Sequence, residues 1–194
     1  TEIGMVISQP GFDPYERDDG LHPNVVLKKR GGKLPYNDWL RQQGYEGENP
    51  WNDYANSAEG PAGELLSGWY LKNSNLPPRV REEHSETAYM TMRAREFIQE
   101  TGEVPWLCHL SYIKPHWPYM APAPYHNMYG PNTFQPIIRD SSEKINPHPV
   151  YNAFMEMEVS QTFSTAGVRE TVLPAYMGMI KQIDDHLGKL FGWL

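Results

Sequence analysis

Apolar positions in this chain gather into a few ordered stretches set between long irregular ones. Residues 3–7 form a short apolar run, expected as a strand, and Pro10-Gly11-Phe12-Asp13-Pro14 follows as a turn signal. From Glu16 to Gly68 the chain is rich in Gly, Asn, Asp and Trp. It shows no sustained period there, apart from a helix-like piece at Tyr36 to Gln43. Long loops inside a compact domain are uncommon unless they serve a function, so this stretch reads as an elaborated surface.

The next pattern is helical. Ser85 is placed to accept from the first free N–H groups of a helix, and Glu86 suits the positive end of its dipole. Met90, Ala94, Phe97 and Ile98 follow at helical spacing, and Gly102 ends the run. Leu107-Cys108-His109-Leu110-Ser111-Tyr112 is short, largely apolar and bounded by Pro105 and Pro115, the pattern of a buried strand. A helix leading into a buried strand is half of an α/β unit. Residues 113–150 form a Pro-rich connection, and a helix is expected over about Tyr151 to Phe163. Tyr176, Ile180, Ile183, Leu187, Leu190 and Leu194 then step by four and three, predicting a last helix with one apolar stripe. Pro174 belongs in its first turn or kinks it. Two strands and three helices make an α/β pattern with an unfinished sheet. Either sequence outside this chain completes that sheet, or the fold is an irregular α+β module with long Pro-rich loops.

Composition narrows the class. The 194 residues suit one domain or a piece of a larger one. The net charge of −7 lacks the basic footprint of a nucleic-acid binder. The single cysteine, Cys108, rules out a disulfide within the chain and is expected as a buried strand thiol. No apolar run approaches the ~20 residues of a membrane span, and no signal peptide is visible, which points to a cytoplasmic setting. Eighteen prolines accompany six tryptophans and twelve tyrosines, and so rich a set of aromatics marks a folded, loop-rich chain.

The candidate chemistry follows the expected strand 107–112, in Tyr112-Ile113-Lys114-Pro115-His116-Trp117-Pro118-Tyr119. Open α/β sheets bind ligands beyond the carboxyl ends of strands. A histidine there can give a proton to a leaving oxygen, and a lysine supplies a point positive charge. The two prolines restrict the backbone that carries both. From spacing alone, His116 is also readable as an ordinary partly buried histidine in an aromatic turn. The two-proline pattern also matches a polyproline ligand, although it is too short to be specific.

Leu110 to Tyr119, continued by Ala121-Pro122-Ala123-Pro124-Tyr125, resembles the strand-and-loop signature of the sulfatase family in the alkaline phosphatase superfamily. Asn49-Pro50-Trp51 and Gly11-Phe12-Asp13-Pro14 resemble its phosphonate monoester hydrolase branch, which lies close to the arylsulfatases. So does Tyr176-Met177-Gly178 running into Ile183-Asp184-Asp185-His186-Leu187-Gly188. The resemblance implies a mixed sheet flanked by helices, with residues 1–194 as one segment of a larger catalytic domain. It also implies a cysteine-derived formylglycine that attacks sulfur or phosphorus beside a divalent metal, both expected in the full-length enzyme. The position matching His116 contacts the transferred group or the leaving oxygen, which makes His116 the catalytic candidate. Lys114 and His116 are together the substrate-binding candidates.

The family's nucleophile lies in a Cys-x-Pro-Ser-Arg or Cys-x-Pro-x-Arg segment, whereas Cys108 precedes His109-Leu110-Ser111. No residue of this chain takes that role. Asp184-Asp185-His186 imitates a metal site, but consecutive helical residues diverge by about 100° and do not converge on one ion. The family's metal pair is expected beyond this chain, so no metal ligand is assigned here. Glu16-Arg17-Asp18-Asp19 lacks calcium-loop spacing and is expected as a solvated loop. His22, His84, His109, His126 and His148 are scattered without ligand spacing.

Two functions compete. One is a segment of a metal-dependent hydrolase of sulfate, phosphate or phosphonate esters, acting on a small anionic substrate and inactive in isolation. The other is a noncatalytic module that recognises an anionic ligand or partner. For the isolated segment, lost cover on a sheet edge or helix face is expected to expose apolar surface or to drive assembly of a homo-oligomer.

Overall fold

The computed structural model describes Gly11, Asp13, Pro14, Glu16, residues 34–136 and residues 138–194. The expected strand at residues 3–7, together with Asp18, Asp19 and His22, lies outside the described residues.

Helix α1 spans Pro35–Gln42. Proline suits the first helical turn, where its missing N–H would have no partner. One turn apart, Tyr36 and Leu40 are both fully buried. They meet Trp51, Ala55, Val80 and Tyr89 in the main apolar core. The core is largely aromatic: the Tyr36 and Tyr89 rings lie 5.2 Å apart, as do those of Trp39 and Tyr89. Each such pair adds about 0.5–1.5 kcal/mol beyond the area it buries. Tyr36 donates its hydroxyl to the carbonyl of His84 at 2.6 Å. The core thus reaches the turn before the next helix.

Strands β1 (Ser57–Glu59) and β2 (Leu65–Ser67) pair antiparallel, with Ser57 opposite Ser67 and Glu59 opposite Leu65. Gly63, at φ +79°, turns the connection between them, a backbone state that costs glycine little. Helix α2 spans Glu86–Thr101 and follows its sequence pattern closely. The Ser85 side chain accepts from the N–H of Ala88 at 3.3 Å, and Gly102 closes the helix at φ +60°.

Residues 107–112 depart from expectation. They form no strand and pair with no sheet among the described residues, and Leu107 is 76% exposed. Cys108 is half-buried rather than enclosed. The segment runs alongside α2 instead, where the Tyr112 hydroxyl bonds that of Thr91 at 2.7 Å. Apolar content and flanking prolines specify extension, but a ladder also needs a neighbouring strand.

The helix expected over 151–163 is two, α3 (Pro149–Glu156) and α4 (Glu158–Ser164), parted where Met157 turns extended at ψ 139°. Side chains serve carbonyls around the breaks. Gln161 donates to Met155 O at 2.5 Å, and Arg169 donates to Phe163 O at 2.9 Å.

Helix α5 spans Ala166–Trp193 and contains Pro174 in its interior, beyond the expected first turn. Its buried face also differs from the expected stripe. Val172, Ala175, Met179, Gln182, His186 and Leu190 are buried, whereas Tyr176, Ile180 and Leu194 are exposed. The cause lies in the small residues. A Cβ on Gly178 would sit 2.4 Å from the carbonyl oxygen of Tyr125, so glycine lets the helix lie against that backbone. Ala121, Tyr125 and Met179 then close a second apolar cluster. Of the periodic stripe, Leu190 is buried, Ile183 and Leu187 are half-buried, and Tyr176, Ile180 and Leu194 face outward.

Polar groups fasten α5 to the start of α2. Gln182 Nε2 donates to Ser85 Oγ at 2.7 Å and to Glu82 Oε1 at 2.9 Å. His186 Nε2 bonds the same Glu82 oxygen at 2.7 Å. These bonds hold the Glu82 carboxyl below the usual carboxylate range, chiefly through His186 and against the opposing effect of burial. Glu16, expected in solvent, instead accepts from the Tyr89 hydroxyl at 2.5 Å and from Arg93 Nε at 3.0 Å.

The architecture is therefore mixed α/β, with helices and one small two-stranded sheet among the described residues.

Two outcomes follow. Gly178→Ala gains about 1 kcal/mol of helix propensity, but the overlap with Tyr125 O exceeds that gain. A net loss of about 1–3 kcal/mol in urea unfolding is expected. Glu82 has a lowered folded pKa, so its contribution is complete above the ordinary carboxylate range and is lost as the pH falls through that range towards the folded value. Glu82→Gln should therefore flatten the acid limb of stability against pH, as measured by denaturant midpoints.

Candidate active site

The turn from Lys114 to Pro118 is built on three supports. Below it lies the first turn of α2, where Glu86 is 7% exposed. On one side stands Asn56, just before β1 and 1% exposed. Its Nδ2 donates to the carbonyl of Trp51 at 3.1 Å. On the other side is an indole cluster. Trp117 meets Trp69 edge to face with ring centroids 4.4 Å apart, and Trp69 lies 5.9 Å from Trp51. Trp69 Nε1 donates to Asn52 Oδ1 at 2.9 Å, which fixes the platform.

The two expected site residues point in opposite directions. Lys114 turns inward. Its Nζ donates to the carbonyl of Pro118 at 2.9 Å and to Asn56 Oδ1 at 3.3 Å. Burial pushes the ammonium below the usual lysine range, although the Glu86 carboxyl nearby acts against that shift. Burial likewise raises Glu86 above the usual carboxylate range, with Lys114 opposing. Glu86 Oε2 is enclosed without a hydrogen bond, and the Trp51 indole N–H lies near it outside bonding geometry.

His116 turns outward and is exposed. Its backbone N–H donates to Ile113 O at 2.9 Å, and its Nδ1 stands 2.6 Å from the carbonyl of Trp117. A carbonyl carries no proton, so Nδ1 must be the donor. In the neutral ring that bond selects the Nδ1–H tautomer and leaves Nε2 with an open lone pair. The peptide bonds before Pro115 and Pro118 are both cis.

Asp184, Asp185 and His186 leave α5 towards different surroundings. The Asp184 side chain is 75% exposed. Asp185 accepts from the Tyr125 hydroxyl at 3.0 Å and pairs with Lys181, and His186 is buried on Glu82. Among the described residues no three His, Cys, Asp or Glu side chains group to hold a metal. Burial raises the Cys108 thiol above its usual range, and its neighbours are not those of a formylglycine segment. The described residues therefore do not fit a divalent metal or a formylglycine. A separate hollow lined by Tyr45, Tyr54, Glu59, Pro77, Pro78 and Arg79 contains neither Lys114 nor His116. Its one cation is engaged: the Arg79 guanidinium lies 4.6 Å above the Tyr54 ring and donates to Asp53 O at 3.0 Å.

Sequence reasoning missed Asn56 and assigned Glu86 only a helix-end role. Nothing in the local sequence of Asn56 marks it, since its partner is 58 residues away. Glu86 carried a faint signal, being the acidic residue directly after the helix cap.

Comparison with known proteins identifies the family and the fold. The Sulfatase family model matches residues 29–194, and the chain belongs to that family. It is 29% identical over 133 residues to the multifunctional alkaline phosphatase superfamily protein PehA of Trinickia caryophylli. That match covers 62% of this chain and 26% of PehA. The fold is similar to the phosphonate monoester hydrolase SpPMH from Silicibacter pomeroyi, with a TM-score of 0.63 and 23% identity, covering 82% of this chain and 32% of that one. It is also similar to the phosphonate monoester hydrolase of Agrobacterium radiobacter, with a TM-score of 0.64 and 21% identity, covering 90% and 38%. The chain thus spans about a quarter to two fifths of the length of these relatives.

The inward course of Lys114 has a direct chemical consequence. Under limited acetic anhydride treatment, mass spectrometry should find Lys114 labelled more slowly than the exposed Lys72, Lys144 and Lys189. Equal labelling would place its ammonium in solvent.

Proposed function

We propose that this chain forms part of the substrate wall of a hydrolase acting on small anionic esters of sulfate, phosphate or phosphonate. In this reading His116 is the residue that meets the transferred group. Membership of the sulfatase family supports the reaction class, and the names of the similar solved structures support phosphonate esters within it. The observation that carries the role of His116 is its geometry. The ring is exposed, Nδ1 is engaged by the Trp117 carbonyl, and Nε2 is left as the working nitrogen.

The chemistry follows from that nitrogen. Protonated Nε2 gives its proton to the leaving oxygen as the S–O or P–O bond breaks, so that an alcohol departs instead of an alkoxide. The resulting neutral imidazole keeps its Nδ1–H bond to Trp117 and needs no rotation to be reprotonated from water. Lys114 adds positive charge from beneath the turn, at a distance from the anion. A divalent metal and a formylglycine nucleophile are the family's means of attack and belong to parts of the enzyme outside this chain. Self-association remains part of the proposal, since Leu107, Ile138 and Phe191 leave large apolar side chains at the surface.

The test is a leaving-group series on the complete enzyme. His116→Ala should slow turnover by about 10²–10⁴-fold, with the loss growing as the leaving alcohol becomes more basic. A loss independent of the leaving group would mean that His116 only binds the anion. Equal activity in a folded variant would remove His116 from the site.

A further inference from the structure

Lys114 opens the turn that has His116 at its apex, yet its ammonium runs back underneath that turn. The bond from Nζ to the Pro118 carbonyl closes the turn on itself, and the bond to Asn56 Oδ1 fastens it to the segment entering β1. Asn56 is itself fixed, because its Nδ2 donates to Trp51 O and its carbonyl accepts from the N–H of Gly68 at 2.8 Å. Both carbonyls that hold His116, those of Ile113 and Trp117, sit at the ends of the clamped backbone. Burying an ammonium without partners is costly. Here two acceptors and the enclosed Glu86 side chain offset that cost. With both acceptors in place, little of the ammonium is left for an external anion.

We propose that Lys114 is a positioning residue: backed by Asn56 and Glu86, it holds the His116 turn in the orientation that presents Nε2, and it does not touch the substrate anion. This rests on the reading of His116 as the group that meets the transferred group. The contribution of Lys114 to the anion pocket is then indirect, through the turn and through its charge at a distance.

Two variants of the complete enzyme test the proposal. The double substitution Lys114→Met with Glu86→Gln removes both buried ionisable groups together, so neither is left uncompensated. Asn56→Leu removes the side-chain acceptor and leaves Lys114 in place. In both, kcat should fall by about 10–10²-fold while KM moves by less than about threefold, because the reacting group is misplaced and not the anion. In a His116→Ala background the double substitution should cost nothing further, since the two sites act as one unit. Calorimetric binding of inorganic phosphate should be unchanged within about twofold. Independently of turnover, exchange of the His116 backbone amide, followed by NMR, should quicken by about tenfold or more. Weakened phosphate binding that persists in the His116→Ala background would overturn the proposal, because Lys114 would then contact the anion directly. Unchanged kcat and unchanged amide exchange would also overturn it. If the enzyme turns over no ester, the catalytic reading of His116 fails, while the exchange measurement still decides whether Lys114 braces the turn.

Discussion

The first turn of α2 is the point on which the described structure is assembled. Ser85 Oγ receives two donors at once, the Ala88 N–H of its own helix and the Gln182 amide of α5. The bond that starts α2 therefore also docks α5. Its neighbours extend the junction in other directions. Glu82 gathers His186 and Gln182, Tyr89 enters the aromatic core, and Glu86 lies beneath the turn that carries His116. Thr91, a turn further on, pins Tyr112 at the entrance to that turn. Four segments distant in sequence meet within two helical turns, so disturbance there reaches both the packing and the site.

Local chemistry made some of this visible in the sequence. The start and end of α2 were legible because a Ser cap and a terminal Gly act within a few residues. The strand and the enclosure expected of residues 107–112 were not realised, because both depend on what lies alongside. The final helix is the most instructive case. Its large apolar residues mark one face and its small ones, Ala175 and Gly178, mark another. The structure packs the face of the small residues together with Met179 and Leu190, because close backbone approach at Gly178 needs a small side chain. His186, which the sequence groups only with Asp184 and Asp185 in an imitation of a metal site, is buried against Glu82.

The site shows a similar division. The Lys-Pro-His-Trp-Pro turn is a contiguous motif, and sequence located it. What it could not supply was direction. That His116 faces out while Lys114 faces in depends on Asn56 and Glu86, which come from other elements. The tautomer of His116 was equally out of reach, since it follows from a single carbonyl of Trp117.

The Trp69 and Trp117 rings stand edge to face beside the His116 turn, with centroids 4.4 Å apart. Two indoles this close couple their strong electronic transitions, so the pair contributes a far-ultraviolet dichroism couplet that isolated tryptophans do not give. Any event that shifts the turn, such as an anion settling against it, changes that coupling. The protein thus carries an optical gauge of its own beside the proposed reaction centre, readable without a label and without catalysis.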